Sequence, residues 1–150
     1  MDEPTGLEYM VCFDLYAASR SMTALYRQEL DKAGLTYPQY LALRVIFQRG
    51  SIRVSDLGAA LGLDSGTLSP LLKRLEEQGI TLRERGYDDK RTVWTQLSPK
   101  GMLLYDSLAD LPERVRCSLD LSDDDLRDLH RILGRVRTSN PATATATATA

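Results

Sequence analysis

Asp64–Gly79 reads DSGTLSPLLKRLEEQG. Its apolar residues Leu68, Leu71, Leu72 and Leu75 fall at i, i+3, i+4 and i+7, the spacing of one buried helix face. The opposite side carries Ser65, Thr67, Ser69, Lys73 and Arg74, and Gly79 stands where a helix commonly closes. The helix therefore has a dry back and a front of hydroxyls and cations. Short hydroxyl side chains reach base edges, and Lys and Arg hold phosphates. An ordinary amphipathic surface helix would carry the same pattern, so the neighbours decide. Pro70 is a local conflict, because it removes a backbone donor. Propensity alone would start the helix at Ser69 with Pro70 at N1, whereas the apolar spacing extends it back to Leu68.

Upstream, Val54–Leu63 reads VSDLGAALGL. Ser55 is the expected cap of a short helix with Leu57, Ala60 and Leu61 on its apolar face, and Gly62 ends it. Two helices joined by a tight Gly turn, the second with a polar front, form a helix-turn-helix. Downstream, Ile80–Arg85 and Thr92–Leu97 read as strands around a charged tip, GYDDKR, at Gly86–Arg91. A helix-turn-helix followed by a hairpin with a basic tip is a winged helix, and it points to duplex DNA.

A chain of 150 residues supports one domain with a sizeable core. The net charge of −2 excludes a nucleic-acid polycation, but the segments differ. Residues 1–15 carry −4, residues 16–64 and 65–100 each carry +2, and residues 101–150 carry −2. Two cysteines, Cys12 and Cys117, make neither a disulfide framework nor a zinc site. No metal or cofactor motif appears, and a lone His130 gives little support to a catalytic dyad. With no apolar run of membrane length and no signal peptide, a cytoplasmic protein with reduced thiols is expected.

Leu7–Lys32 reads as one long helix ending before Gly34. Thr36 with Gln39 forms a capping box for a second helix, Tyr37–Arg49, apolar around most of its girth and so central to the core. Ile52–Val54 adds a short strand to the wing sheet. After the wing, Ser98 and Pro99 start a helix that runs towards Cys117 with a bend at Pro112. Ser122 caps a last helix with Asp123, Asp124 and Asp125 at its positive end. Leu126, Leu129, Leu133 and Val136 form a narrow stripe along it, suited to a partner helix or to packing within the chain. Helix-turn-helix proteins commonly read two half-sites, which favours a homodimer. PATATATATA at 141–150 has no core to join, so 138–150 is expected to be a disordered tail.

Assembled, these parts resemble the MarR family of winged-helix regulators, and within it the organic hydroperoxide resistance repressors of the two-cysteine type. The resemblance covers roughly residues 7–137 and rests on four pieces. These are Cys12-Phe13 followed by LYAASR at Leu15–Arg20, TYPQYLAL at Thr36–Leu43, LDSGTLSPLLKR at Leu63–Arg74, and the wing pattern Asp89-Lys90-Arg91. Pro70 belongs to the family pattern, which favours the longer recognition helix. Thr81 and Trp94 depart from it, since an apolar residue is usual at the first and a smaller one at the second. The fold implied is mainly α with a small β-wing. The winged helix-turn-helix would span about 52–98, flanked by dimerisation helices at about 7–32 and 99–137.

The resemblance implies that Cys12 senses peroxide and that Tyr26 and Tyr37 hydrogen-bond it. Tyr26 lies 14 positions after Cys12. At about 1.5 Å rise per residue they are ~21 Å apart along one helix, so a contact must come from the other subunit. A thiol senses peroxide as thiolate and becomes sulfenic acid. The helix dipole and tyrosine donors favour the anion, while Glu8 and Asp14 oppose it. Phe13 and Tyr16 join the implied sensor pocket, and apolar neighbours such as Met10 and Leu15 suit an organic hydroperoxide. Taken alone, Cys12 would sooner read as a small buried hydrophobe. Cys117 resembles in placement the C-terminal cysteine that forms an intersubunit disulfide with the sensor in one subgroup. The alternative is that Cys117 is an inert core thiol and a small cellular thiol resolves Cys12.

On DNA, Ser65, Thr67 and Ser69 are expected at base edges and Lys73 and Arg74 at phosphates. Arg91, oriented by Asp89, is expected in the adjacent minor groove of a pseudo-palindromic operator. The function expected is a repressor that releases its operator when organic hydroperoxide oxidises Cys12. Control by a small aromatic ligand is the nearest alternative. A thiol peroxidase would leave the winged helix unexplained.

Overall fold

The computed structural model describes residues 6–87, 89 and 91–139. Asp88, Lys90 and the expected tail from 140 onward lie outside them. The chain divides into two compact units, residues 1–37 and 38–150.

The first unit holds a 3₁₀ turn, Leu7–Tyr9, and a long helix α1, Val11–Lys32. The expected helix from Leu7 therefore starts four residues later. Gly6 is left-handed and Met10 is extended, so the backbone breaks between the two helical pieces. No side chain caps α1, and the Met10 carbonyl accepts from the Phe13 and Asp14 N–H groups instead. Apolar spacing ran through this break, and no Ser, Thr, Asp or Asn marked it. Cys12 consequently sits in the first turn of α1. The rings of Tyr26 and Tyr37 meet at 4.9 Å between centroids, tilted by 53°.

The second unit takes up α2, Tyr37–Arg49, from its second residue, and Tyr40, Ala42, Leu43 and Ile46 of that helix are all buried. Then follow β1 (Ser51–Arg53), α3 (Val54–Leu61), α4 (Ser65–Glu77), β2 (Thr81–Arg85) and β3 (Val93–Leu97). The sheet order is β1-β3-β2 and both pairings are antiparallel. Ile52 opposes Thr95, and Arg83 opposes Thr95 from the other side. β1 ends one residue earlier than expected, because Val54 already begins α3. Ser55 is not the cap of α3: Arg53 holds that position and gives no side-chain hydrogen bond.

Gly62 turns the chain between α3 and α4 at φ 64°, a conformation costly for residues with a Cβ. The Leu63 N–H reaches back to the Gly58 carbonyl at 2.9 Å and fixes the turn. α4 keeps Pro70 inside it, as the longer reading required. Leu68, Leu72 and Leu75 are buried, at roughly 1.5–3 kcal/mol each, which outweighs the one lost backbone bond. Its end is a Schellman closure: the Ile80 N–H reaches the Leu75 carbonyl and the Gly79 N–H the Glu76 carbonyl, both at 2.8 Å.

Ser98 caps the next helix, α5 (Pro99–Ser107), and α6 (Leu111–Ser118) follows. The expected single bent helix is thus two. The break falls at 108–110, and Pro112 lies in the first turn of α6, where its missing N–H has no helical partner to lose. Leu108, Leu111 and Val115 are buried. Ser122 and Asp125 cap α7 (Asp123–Thr138) reciprocally. None of its residues is buried: Leu126 and Leu133 are half-buried, and Leu129, Ile132 and Val136 are 43–48% exposed. Thr138, placed in the tail by sequence, still belongs to α7.

Thr81 is 2% exposed, and its hydroxyl is the buried side-chain polar atom without a hydrogen-bond partner among the described residues. A buried unpaired hydroxyl costs about 1–3 kcal/mol, whereas a methyl in its place costs nothing comparable. Thr81→Val should therefore stabilise the protein by about 1 kcal/mol and raise the thermal midpoint by about 3 °C, read by calorimetry. A lowered midpoint would show that the hydroxyl has a partner.

Candidate functional site

α4 presents Ser65, Thr67, Ser69, Lys73 and Arg74 together on its exposed side, opposite the buried leucines. Asp64 caps the helix, accepting the Thr67 N–H on one carboxylate oxygen at 2.9 Å and the Thr67 hydroxyl on the other at 3.1 Å. The Thr67 hydroxyl proton is thereby committed. What Thr67 still offers a base is a lone pair and a methyl group, suited to an amino group or a thymine methyl. Lys73 lies 3.8 Å from Glu77 on the surface, a weak pair that leaves the ammonium available.

The Thr67 N–H and then its hydroxyl hold the Asp64 carboxyl below its ordinary 3.8. The cap's stability is therefore fully present above that ordinary value and is lost as pH falls through the depressed one. Asp64→Asn keeps one acceptor but no charge. Urea unfolding against pH should show wild type more stable than Asp64→Asn near neutrality, with the gap closing in acid below about pH 4. A gap that persists unchanged at pH 2 would contradict the cap's role.

At the wing, Asp89 accepts the Arg91 N–H at 2.9 Å and the Thr92 hydroxyl at 3.3 Å, closing the turn. The Arg91 guanidinium stands 4.0 Å from Asp89 and is 97% exposed. The Glu76–Arg83 pair, at 3.1 Å, ties β2 to the end of α4. A cleft of about 420 Å³ lies between the helix-turn-helix and the wing, lined by Arg53, Ser55, Ser65, Leu68, Arg91 and Val93 among others. Sequence reading did not find it, because one wall comes from residues 53–68 and the other from the wing at 91–93.

The thiol residues are placed as follows. Cys12 and Cys117 are both exposed and neither is in a disulfide. Neither thiol is therefore buried within its own chain. Phe13 and Tyr16 border a shallow groove along α1 with Ala17, Arg20, Ser21 and Ala24. The Arg20 guanidinium lies 5.7 Å from the Tyr16 ring centre. Cys117 donates its S–H to Glu113 at 3.5 Å. Arg116 grips the same carboxylate with two donors, at 2.6 and 2.9 Å, and reaches Asp123 at 3.0 Å. Arg116, and then Cys117, push the Glu113 carboxyl below its ordinary 4.5. The sequence reading missed Glu113 and Arg116, although their i−4 and i−1 spacing from Cys117 was a usable signal. Among the described residues no group of three or more His, Cys, Asp or Glu side chains is arranged to hold a metal, and no helix is long and apolar enough to cross a membrane.

Residues 35–93 match the MarR family. The chain is 43% identical over 127 residues to the organic hydroperoxide resistance transcriptional regulator of Bacillus subtilis, covering 85% of this chain and 86% of that one. This chain belongs to the MarR family. It is a DNA-binding transcriptional regulator rather than an enzyme. A solved mutant MarR from E. coli, complexed with operator DNA, superimposes with a TM-score of 0.81 at 22% identity, over 89% of this chain and 99% of that one. Reduced AbfR bound to DNA superimposes with a TM-score of 0.77 at 28% identity, over 89% and 91%. The mainly helical MarR architecture with its three-stranded wing is therefore the fold of this chain.

Proposed function

We propose that this MarR-family regulator is a cytoplasmic homodimeric repressor that releases a pseudo-palindromic operator when an organic hydroperoxide oxidises Cys12. The observation that carries this reading is the Tyr26–Tyr37 pair. α1 is unbroken from Val11 to Lys32, so Tyr26 stays ~21 Å along the helix from Cys12. If both hydroxyls serve one Cys12 sulfur, as the family resemblance implies, the partner subunit's α1 has to run past this one. The exposed apolar stripe of α7 supplies a surface for such a dimer, since burying it removes apolar area from water. The Bacillus relative is named for organic hydroperoxide resistance, which supports the peroxide reading.

In the proposed chemistry the Cys12 thiolate attacks the peroxide oxygen, cleaving the O–O bond and leaving an alcohol after protonation. The resulting sulfenic acid condenses with the partner subunit's Cys117: an S–S bond forms, the S–O bond breaks and water leaves. The exposure of both thiols supports this step. Glu113 and Arg116 fix the rotamer of Cys117 from which it attacks. The recognition-helix front reads base edges through Ser65, Thr67 and Ser69, with Lys73 and Arg74 on phosphates and Arg91, steadied by Asp89, in the minor groove.

Mixing differently tagged Cys12→Ser and Cys117→Ser chains tests the pairing. After cumene hydroperoxide, each variant alone should give no covalent dimer on a non-reducing gel. The heterodimer should give one, because it retains a single Cys12 and a single Cys117 on opposite chains. A covalent dimer from the Cys117→Ser chain alone would remove Cys117 from the mechanism.

A further inference from the structure

We infer that the cleft between the helix-turn-helix and the wing seats a phosphate of the operator backbone, and that Trp94 holds Arg53 in place to bind it. The inference rests on the groove assignments proposed above. If α4 lies in a major groove and Arg91 enters the neighbouring minor groove, one sugar–phosphate strand separates the two. That strand has to cross the surface between α4 and the wing, and this surface is the cleft. The charged residues among its described lining are two guanidiniums, Arg53 and Arg91, flanked by the hydroxyls of Ser55 and Ser65. A carboxylate, Asp89, lies 4.0 Å from the Arg91 guanidinium, so Arg53 carries the less compensated charge.

Arg53 is exposed at the end of β1, directly opposite Trp94 in the sheet register. Its guanidinium lies 5.2 Å from the Trp94 ring centre. Stacking on an aromatic face restricts a long flexible side chain without consuming its N–H donors, which stay free for phosphate oxygens. Trp94 is also the residue that is larger than the family pattern leads one to expect. Its size is accounted for here: a smaller side chain would not extend under the guanidinium. Arg53 is a phosphate-binding residue in this account, and Trp94 positions it.

The experiment uses the full-length protein and a duplex selected by it from a random pool, with affinity read against salt by fluorescence anisotropy. Arg53→Ala should weaken binding about tenfold to the selected duplex and to an unrelated duplex alike, near 0.15 M salt. It should make the slope of log K against log salt shallower by about 2, at about 0.9 per lost phosphate contact in each half of a dimer. Arg53→Lys should restore the slope but not the affinity, because an ammonium does not stack flat on the indole. Arg91→Ala separates the layers of the argument. If Arg91→Ala flattens the slope and Arg53→Ala leaves it at the wild-type value, the phosphate seat is overturned and the groove assignment stands. If neither variant changes the slope, the groove assignment fails and the seat falls with it.

Discussion

Cys12→Ser leaves the operator bound at hydroperoxide concentrations that strip it from the wild type. Effector coupling in proteins commonly spans about 5- to 150-fold in affinity, and oxidation of wild type should fall in that range. Cys12→Ser should stay within about twofold of its untreated affinity, because a serine hydroxyl does not form a sulfenic acid. The substitution is gentle for folding. Cys12 is exposed in the first turn of α1, and sulfur-for-oxygen exchange there removes no core volume. Unperturbed DNA binding with lost response separates sensing from scaffold. If Cys12→Ser responds like wild type, control passes to a small-molecule ligand.

Gly101→Ala is expected to be the most destabilising single methyl in the second unit. A Cβ at Gly101 would lie 2.1 Å from the Ile80 carbonyl oxygen and 3.1 Å from its carbon. Neither atom belongs to a flexible side chain, so the first turn of α5 has to move away from the start of the wing. That junction is heavily bonded. The Ser98 N–H reaches the Ile80 carbonyl at 3.0 Å, and the Ser98 hydroxyl donates to the Gly79 carbonyl at 2.6 Å. The same hydroxyl accepts the Gly101 N–H at 3.0 Å, and Lys100 donates to the Gln78 carbonyl at 2.6 Å. These bonds tie the end of the recognition helix to the helix that leads towards Cys117. Overpacking of this kind costs about 3 kcal/mol or more, so the thermal midpoint should fall by about 10 °C. A midpoint within 2 °C of wild type would contradict so close an approach.

The recognition helix was legible because its signals are local: leucine spacing, a hydroxyl front, and a terminal glycine all lie within sixteen residues. Pro70 could be kept inside it because the gain from three buried leucines exceeds the loss of one hydrogen bond. The helix before the wing and the two strands were legible for the same reason. The start of α1 was not, since its break at Met10 is made by backbone angles around Gly6 and Met10 and not by a capping side chain. The division between α5 and α6 was attributed to Pro112, whereas the chain turns at 108–110, where Leu108 and Leu111 are drawn into the core. Cys12 and the tyrosines were noticed only through a family resemblance, because a lone cysteine on a helix carries no local signal of reactivity. The Arg53–Trp94 stack was invisible, since it depends on a strand register that pairs residues 41 positions apart.

In the proposed mechanism, oxidation of Cys12 and release of DNA are one event. The direct measurement titrates operator-bound wild type with cumene hydroperoxide. In each sample the fraction of DNA released is compared with the fraction of Cys12 no longer alkylatable, read by peptide mass spectrometry. The two fractions should rise together and saturate together, and dithiothreitol should reverse both. DNA released while Cys12 remains fully alkylatable, or DNA retained after Cys12 is fully oxidised, would contradict the account.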